Sequence, residues 1–126
     1  MPRPVHFEIH ADDIGRAKKF YTQLFGWTFT ASGDGGYQLI STGEGRGIDG
    51  GMIERRGPRP QGGQPVTSFV CTVDVPDLDQ FLATAIAEGA ATAVPKMPIP
   101  GVGWLAYITD TEGNILGMME EDTSAA

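Results

Sequence analysis

Apolar and polar residues alternate through Val5-His6-Phe7-Glu8-Ile9-His10, the period-two signature of a strand with two unlike faces. From Ile14 the period lengthens. Ala17, Phe20, Tyr21, Leu24 and Phe25 recur at helical spacing behind an N-cap offered by Asp12 or Asp13, and Gly26 stands where a helix takes its left-handed stop. Three short runs rich in aromatic and β-branched residues follow, Trp27–Thr30, Tyr37–Thr42 and Ile48–Glu54, separated by glycine-rich breaks that read as turns. Gly43-Glu44-Gly45-Arg46-Gly47 lacks the strand, glycine loop and helix that a phosphate cradle needs, and reads as a hairpin tip. A βαβββ unit is complete by Glu54.

Residues Arg55–Pro65 show no apolar period, and we take them as a linker. The pattern then restarts. It predicts a strand over Val66–Val73, a helix over Asp77–Glu88 closed by Gly89, a short strand at Thr92–Val94 and a loop from Lys96 to Gly101. A hairpin follows, Trp104–Thr109 and Ile115–Glu120, turned by Asp110-Thr111-Glu112-Gly113. Cys71, in mid-strand, is expected to be a small buried residue, and Glu120-Glu121-Asp122 a solvated tail.

Overlaying the halves places Phe7 and Asp12 on Phe69 and Asp74, Gly26 on Gly89, and Gly51-Met52-Ile53-Glu54 on Gly117-Met118-Met119-Glu120. Two βαβββ modules are therefore expected, about 5–54 and 66–121, as one α+β domain over 1–126. A single module leaves one sheet face uncovered, so the two should pair and enclose a cleft.

Composition narrows the functional classes. Eighteen glycines and nine prolines stop short of a low-complexity chain, and 40% apolar residues supply a core. A net charge of −7 repels phosphate backbones and anionic membrane surfaces, so neither nucleic acid nor a membrane is expected as a partner. One cysteine excludes an internal disulfide, and no secretory-type or membrane-spanning apolar segment stands out, which makes the cytoplasm the expected compartment.

Val5-His6-Phe7-Glu8-Ile9 leading to Asp12, Phe20-Tyr21 with Leu24-Phe25-Gly26-Trp27, Ile99-Pro100-Gly101-Val102-Gly103 and Asp110-Thr111-Glu112-Gly113-Asn114 together resemble the vicinal oxygen chelate superfamily. That superfamily groups glyoxalase I, bleomycin-resistance proteins and extradiol dioxygenases. The similarity runs from about Val5 to Glu121 and is nearest to glyoxalase-like proteins related to lactoylglutathione lyase. It implies one divalent metal held by a ligand near the start of the first strand and one on the last strand of each module. Carried onto this chain, those positions fall on His6, Ser68, Gly51 and Gly117. Serine is a poor ligand for transition metals and glycine has no side chain, so one imidazole remains where about three protein ligands are needed. We therefore expect no metal and no other cofactor.

His6, Glu8 and His10 share one strand face, with neighbours about 7 Å apart. Their simplest role is local hydrogen bonding; a ligand-orienting role for Glu8 with His6 comes second, and an ion shared by an adjacent pair third. If His6 faces the cleft, the resemblance and the repeat place Glu8, Gly51, Ile53, Ser68, Val70, Gly117 and Met119 beside it, an apolar wall with one carboxylate. Trp27, Tyr37, Trp104 and Tyr107 are candidate aromatic walls, with core packing the commoner fate of such residues. The expected function is binding of a small organic molecule, apolar or cationic, in the inter-module cleft of a homodimer. The alternative is a metal-independent lyase or isomerase with Glu8 as base and His6 assisting, since burial would raise a carboxylate's pKa. A metal-dependent glyoxalase or dioxygenase comes third.

Overall fold

The computed structural model describes residues 2–126, which form two compact units, one ending at Arg59 and one beginning at Pro60. The first contains β1 (Phe7–Ala11), α1 (Ile14–Phe25), β2 (Thr28–Ser32), β3 (Tyr37–Ser41) and β4 (Gly50–Glu54). The second contains β5 (Thr72–Asp74), α2 (Leu78–Ala87), β6 (Ala91–Ile99), β7 (Gly103–Thr109) and β8 (Ile115–Glu121). Strand order is β1-β4-β3-β2 in one sheet and β5-β8-β7-β6 in the other. Each unit is thus the same βαβββ module, with its first strand parallel to its last and the other pairs antiparallel. The α+β class and the duplicated module agree with the sequence pattern.

In the first module the apolar positions of the opening strand and helix meet on one face of the sheet. Ala11, Ala17, Phe20, Tyr21, Leu24, Ile40 and Met52 are buried. Asp13 caps α1 by accepting from the Arg16 amide at 3.0 Å, and Gly26 ends it at φ +73°, a left-handed conformation that glycine takes without steric cost. Trp27 stacks on Tyr21, with ring centroids 5.3 Å apart, and also meets Phe7 and Phe25. It packs among aromatic side chains of the first module while remaining partly exposed.

The second module departs from expectation in three places. The strand predicted over Val66–Val73 is only Thr72–Asp74; Val66 and a fully exposed Phe69 precede it, and Cys71, exposed rather than buried, lends its carbonyl to the Gly117 amide at 2.9 Å. The loop expected at Lys96–Gly101 instead continues strand β6 as far as Ile99, with irregular register between Thr92 and Met97 that accommodates Pro95. The acidic tail is tied down. Glu120 Oε1 accepts the Leu78 amide at the start of α2 at 2.8 Å, and Asp122 accepts the Trp104 indole N–H at 3.1 Å. Donors from Ser124 and Trp104 hold the Asp122 carboxyl below the usual range.

Two adjacent glycines let β4 sit between its neighbours. A Cβ at Gly50 would lie 2.5 Å from the Phe7 carbonyl oxygen and 2.8 Å from its ring, whereas Gly62 has open space around it. Backbone in a parallel ladder cannot yield to that contact. Gly50→Ala should therefore lower the unfolding free energy by about 1–3 kcal/mol, as overpacking does, while Gly62→Ala stays within about 0.5 kcal/mol; urea denaturation of the two variants checks both.

Candidate functional site

On β1 the side chains of Phe7, Ile9 and Ala11 turn toward α1, and those of Glu8 and His10 are exposed on the opposite face. That open face brings together His6, Glu8, Tyr37 and Gly51. Parallel pairing sets Glu8 beside Gly51, and Tyr37, opposite Ile53 on β3, reaches diagonally across to cover the glycine. The Tyr37 hydroxyl donates to Glu8 Oε2 at 3.2 Å and lies 3.1 Å from His6 Nε2; His6 Nε2 and Glu8 Oε2 are 3.8 Å apart. The His6 and Glu8 side chains retain 46% and 44% of their exposure. Desolvation, the Glu8 hydrogen bond and the Glu8 charge, in that order, push the Tyr37 hydroxyl above its ordinary pKa.

A Cβ at Gly51 would fall on the Tyr37 hydroxyl and its ring carbon, with a further ring carbon at 2.9 Å. The position where the resemblance implies a metal ligand is therefore filled by a tyrosine from the next strand. The second module repeats the arrangement with different partners. A Cβ at Gly117 would lie 2.9 Å from Thr72 Oγ1 and 3.1 Å from the Tyr107 ring, and Tyr107 pairs directly with Gly117. Tyr37 was anticipated only as an aromatic wall, and its hydroxyl proves to be the centre of the cluster. Sequence offers no signal for this, because the contact depends on a diagonal between β3 and β4.

Structural equivalence also shifts the repeat. Glu8 pairs with Gly51 as Thr72 pairs with Gly117, and Asp13 caps α1 as Asp77 caps α2, both 64 residues apart (8 to 72, 13 to 77). By that offset the counterpart of His6 in the second module is Val70 rather than Ser68, and both lie ahead of β5. Trp104 sits on the other face from Gly117 and Met119. It pairs with Glu120, stands under the Lys96 ammonium at 4.9 Å, and donates to Asp122, while Lys96 reaches Asp79 of α2 at 3.1 Å. That cluster clasps α2 to its sheet.

Among the described residues no group of three or more His, Cys, Asp or Glu side chains is placed to hold a metal ion. The residues at the implied ligand positions, His6, Val70, Gly51 and Gly117, do not fit one: three lack a donor, and both glycines are covered by tyrosine rings. The charge is also unevenly shared. Residues through Arg59 carry eight basic and seven acidic side chains, a net +1, and the remainder one and nine, a net −8, so the negative charge is concentrated in the second unit. The charge of the first module's open face is set locally, by Glu8.

A family model described as "Bleomycin resistance protein-like N-terminal" matches residues 3–43. The chain is 28% identical over 124 residues to CFP32 of Mycobacterium tuberculosis, a protein named as a glyoxylase, covering 93% of this chain and 45% of that one. It is 30% identical to the anthracycline biosynthesis protein DnrV of Streptomyces peucetius, covering 87% and 44%. This chain thus spans less than half the length of the curated relatives it matches. A glyoxalase family protein from Bacillus cereus has the same fold, with a TM-score of 0.75 at 16% identity and coverage of 96% and 95%. No described helix is long and apolar enough to cross a membrane. The duplicated βαβββ module thus has the fold of glyoxalase-family structures, and the match over residues 3–43 with the likeness to CFP32 and DnrV supports the resemblance to the vicinal oxygen chelate superfamily.

Proposed function

We propose that this protein binds a small organic molecule without a metal, and that the open face of its first module takes part in that binding. The observation that carries this reading is the Tyr37 hydroxyl standing over Gly51 and joined to both His6 and Glu8. A side chain there would have been the natural metal donor, and in its place the module presents a small polar cluster. Leu39, half exposed and directly opposite Gly51, and Ile53, opposite Tyr37, border it. A few convergent polar groups among apolar ones are the composition of a site that orients an organic ligand. The relatives named for glyoxylase and anthracycline biosynthesis support a role in small-molecule chemistry.

The same proposal includes a cytoplasmic homodimer. Val66 and Phe69, exposed ahead of β5, are the apolar surface that supports pairing of two copies. Light scattering should then give about twice the 13.4 kDa chain mass, and Phe69→Asp should return the protein toward a monomer; a monomeric parent would remove dimerisation from the proposal.

Binding, rather than turnover, is the favoured activity because Glu8 remains 44% exposed. General-base catalysis is served by a carboxylate shielded from water, and its own module does not shield this one. A thermal-shift screen of small organic compounds, followed by mass spectrometry of each hit, tests the choice. Ligands recovered unchanged, with binding weakened by Glu8→Gln, are the expected result; conversion abolished by Glu8→Gln would establish the lyase or isomerase instead.

Gly51→Ala should separate site from fold. Tyr37 is half-buried and can swing away, so stability should fall by no more than about 1 kcal/mol, within the ordinary range for single substitutions, while both hydrogen bonds are lost and ligand binding drops with them.

The Tyr37 phenol gives a pH signature. Its raised pKa means that folding favours the neutral hydroxyl, a contribution complete below the unfolded value of about 10 and lost as pH climbs through the folded value. The step at 295 nm that disappears in Tyr37→Phe should lie above pH 10 or so, and Glu8→Gln should move it down; an unmoved step in Glu8→Gln would show that the carboxylate does not hold the phenol.

A further inference from the structure

The hydrogen bonds of the cluster can run in only one direction. A carboxylate accepts and cannot donate, and a phenol has one proton. That proton goes to Glu8 Oε2, so the contact between His6 and Tyr37 is a bond from the imidazole Nε2–H to the phenol oxygen. The order is His6 to Tyr37 to Glu8. Both protons of the chain are spent inside it. What the cluster still offers outward is acceptor capacity, the remaining lone pairs of the Glu8 carboxylate.

The surroundings keep that polarity. Arg55, which pairs along the same edge of the sheet, spends its guanidinium on Asp12 at 2.9 Å and on the His10 carbonyl at 3.1 Å. The half-exposed Leu39 and Ile53 flank the acceptors with apolar surface.

Resting on the assignment of this face as a binding site, we propose that its ligand carries a protonated amine, amidine or guanidine on an apolar body, and that Tyr37 sets this preference. The cation would take the outward lone pairs of Glu8, and its apolar part would lie against the Tyr37 ring, Leu39 and Ile53. Tyr37 acts as a positioning residue. Its hydroxyl consumes one carboxylate oxygen and so fixes where the acceptor of Glu8 points, while its ring supplies the shelf that Gly51 makes room for. Charge-assisted bonds of this kind are stronger than neutral ones, and a protonated amine meets a carboxylate without leaving a buried donor unpaired.

The test uses three probes that share a body and differ in the head group: 2-phenylethylammonium, 2-phenylethanol and 3-phenylpropionate. Each is titrated into the isotope-labelled 126-residue protein, with the signals of His6, Glu8, Tyr37 and Leu39 followed by NMR. The ammonium should shift these signals saturably and bind at least about tenfold more tightly than the alcohol or the carboxylate. Glu8→Gln should abolish the preference for the cation, and Tyr37→Phe, which keeps the ring, should reduce it several-fold while backbone signals of β4 stay in place. If 3-phenylpropionate binds these residues more tightly, the face is a binding site and the proposed ligand class is wrong. If no probe moves them at millimolar concentration, the binding face itself is wrong. A preference for the cation that survives both substitutions would overturn the assignment to Glu8 and Tyr37.

Discussion

Adjacent glycines at the head of β4 are the constraint around which the first module is arranged. Successive strand residues point to opposite faces, so Gly50 and Gly51 leave room on both sides of the sheet at one place. On the α1 side the Phe7 ring takes the space and joins Trp27, Tyr21 and Phe25 in the aromatic core. On the open side the Tyr37 ring takes it, and its hydroxyl meets His6 and Glu8. The two contacts differ in rigidity. Phe7 presents its backbone carbonyl to Gly50 within a parallel ladder, whereas Tyr37 reaches Gly51 with the end of a half-buried side chain. One glycine is therefore a requirement of the fold, and its neighbour a requirement of the polar cluster.

The second module shows what is shared and what is free to change. Gly117 again lies under a tyrosine, yet Tyr107 comes from the directly paired position, and the polar partner is the hydroxyl of Thr72. No counterpart of the His6–Tyr37–Glu8 chain results, because the residues equivalent to His6 and Glu8 are Val70 and Thr72. The duplicated backbone carries two different surfaces. With nine acidic residues against one basic, the second unit concentrates the negative charge, while the first holds the hydrogen-bonded cluster.

Much of the architecture was legible in the chain because it depends on local periodicity. The α1 span, its Asp13 cap and its Gly26 stop follow from helical spacing and from the backbone freedom of glycine, and the Asp110–Asn114 turn from its aspartate and glycine. The repeat was visible too, but its offset was misjudged by two residues. Phe7 and Phe69 are alike in type, whereas the equivalence is set by ladder partners, and these match Glu8 with Thr72. Trp104 failed for a related reason. Its parity on β7 places it toward Lys96 and α2, away from Gly117, and parity cannot be counted through the irregular β6 edge without the register itself.

By itself the sequence determined two βαβββ modules and a pair of glycines at positions where the resemblance implies metal ligands; the modules follow from spacing and the missing side chains from residue type. Only the tertiary structure decided what stands over the glycines. A diagonal contact between β3 and β4 joins residues 14 positions apart (37 to 51), and a parallel pairing brings in Glu8 from 43 positions away (8 to 51), so neither follows from any local period. What looked in the chain like a vacancy left by a lost ligand is, in the folded module, the seat of a tyrosine whose hydroxyl joins His6 to Glu8.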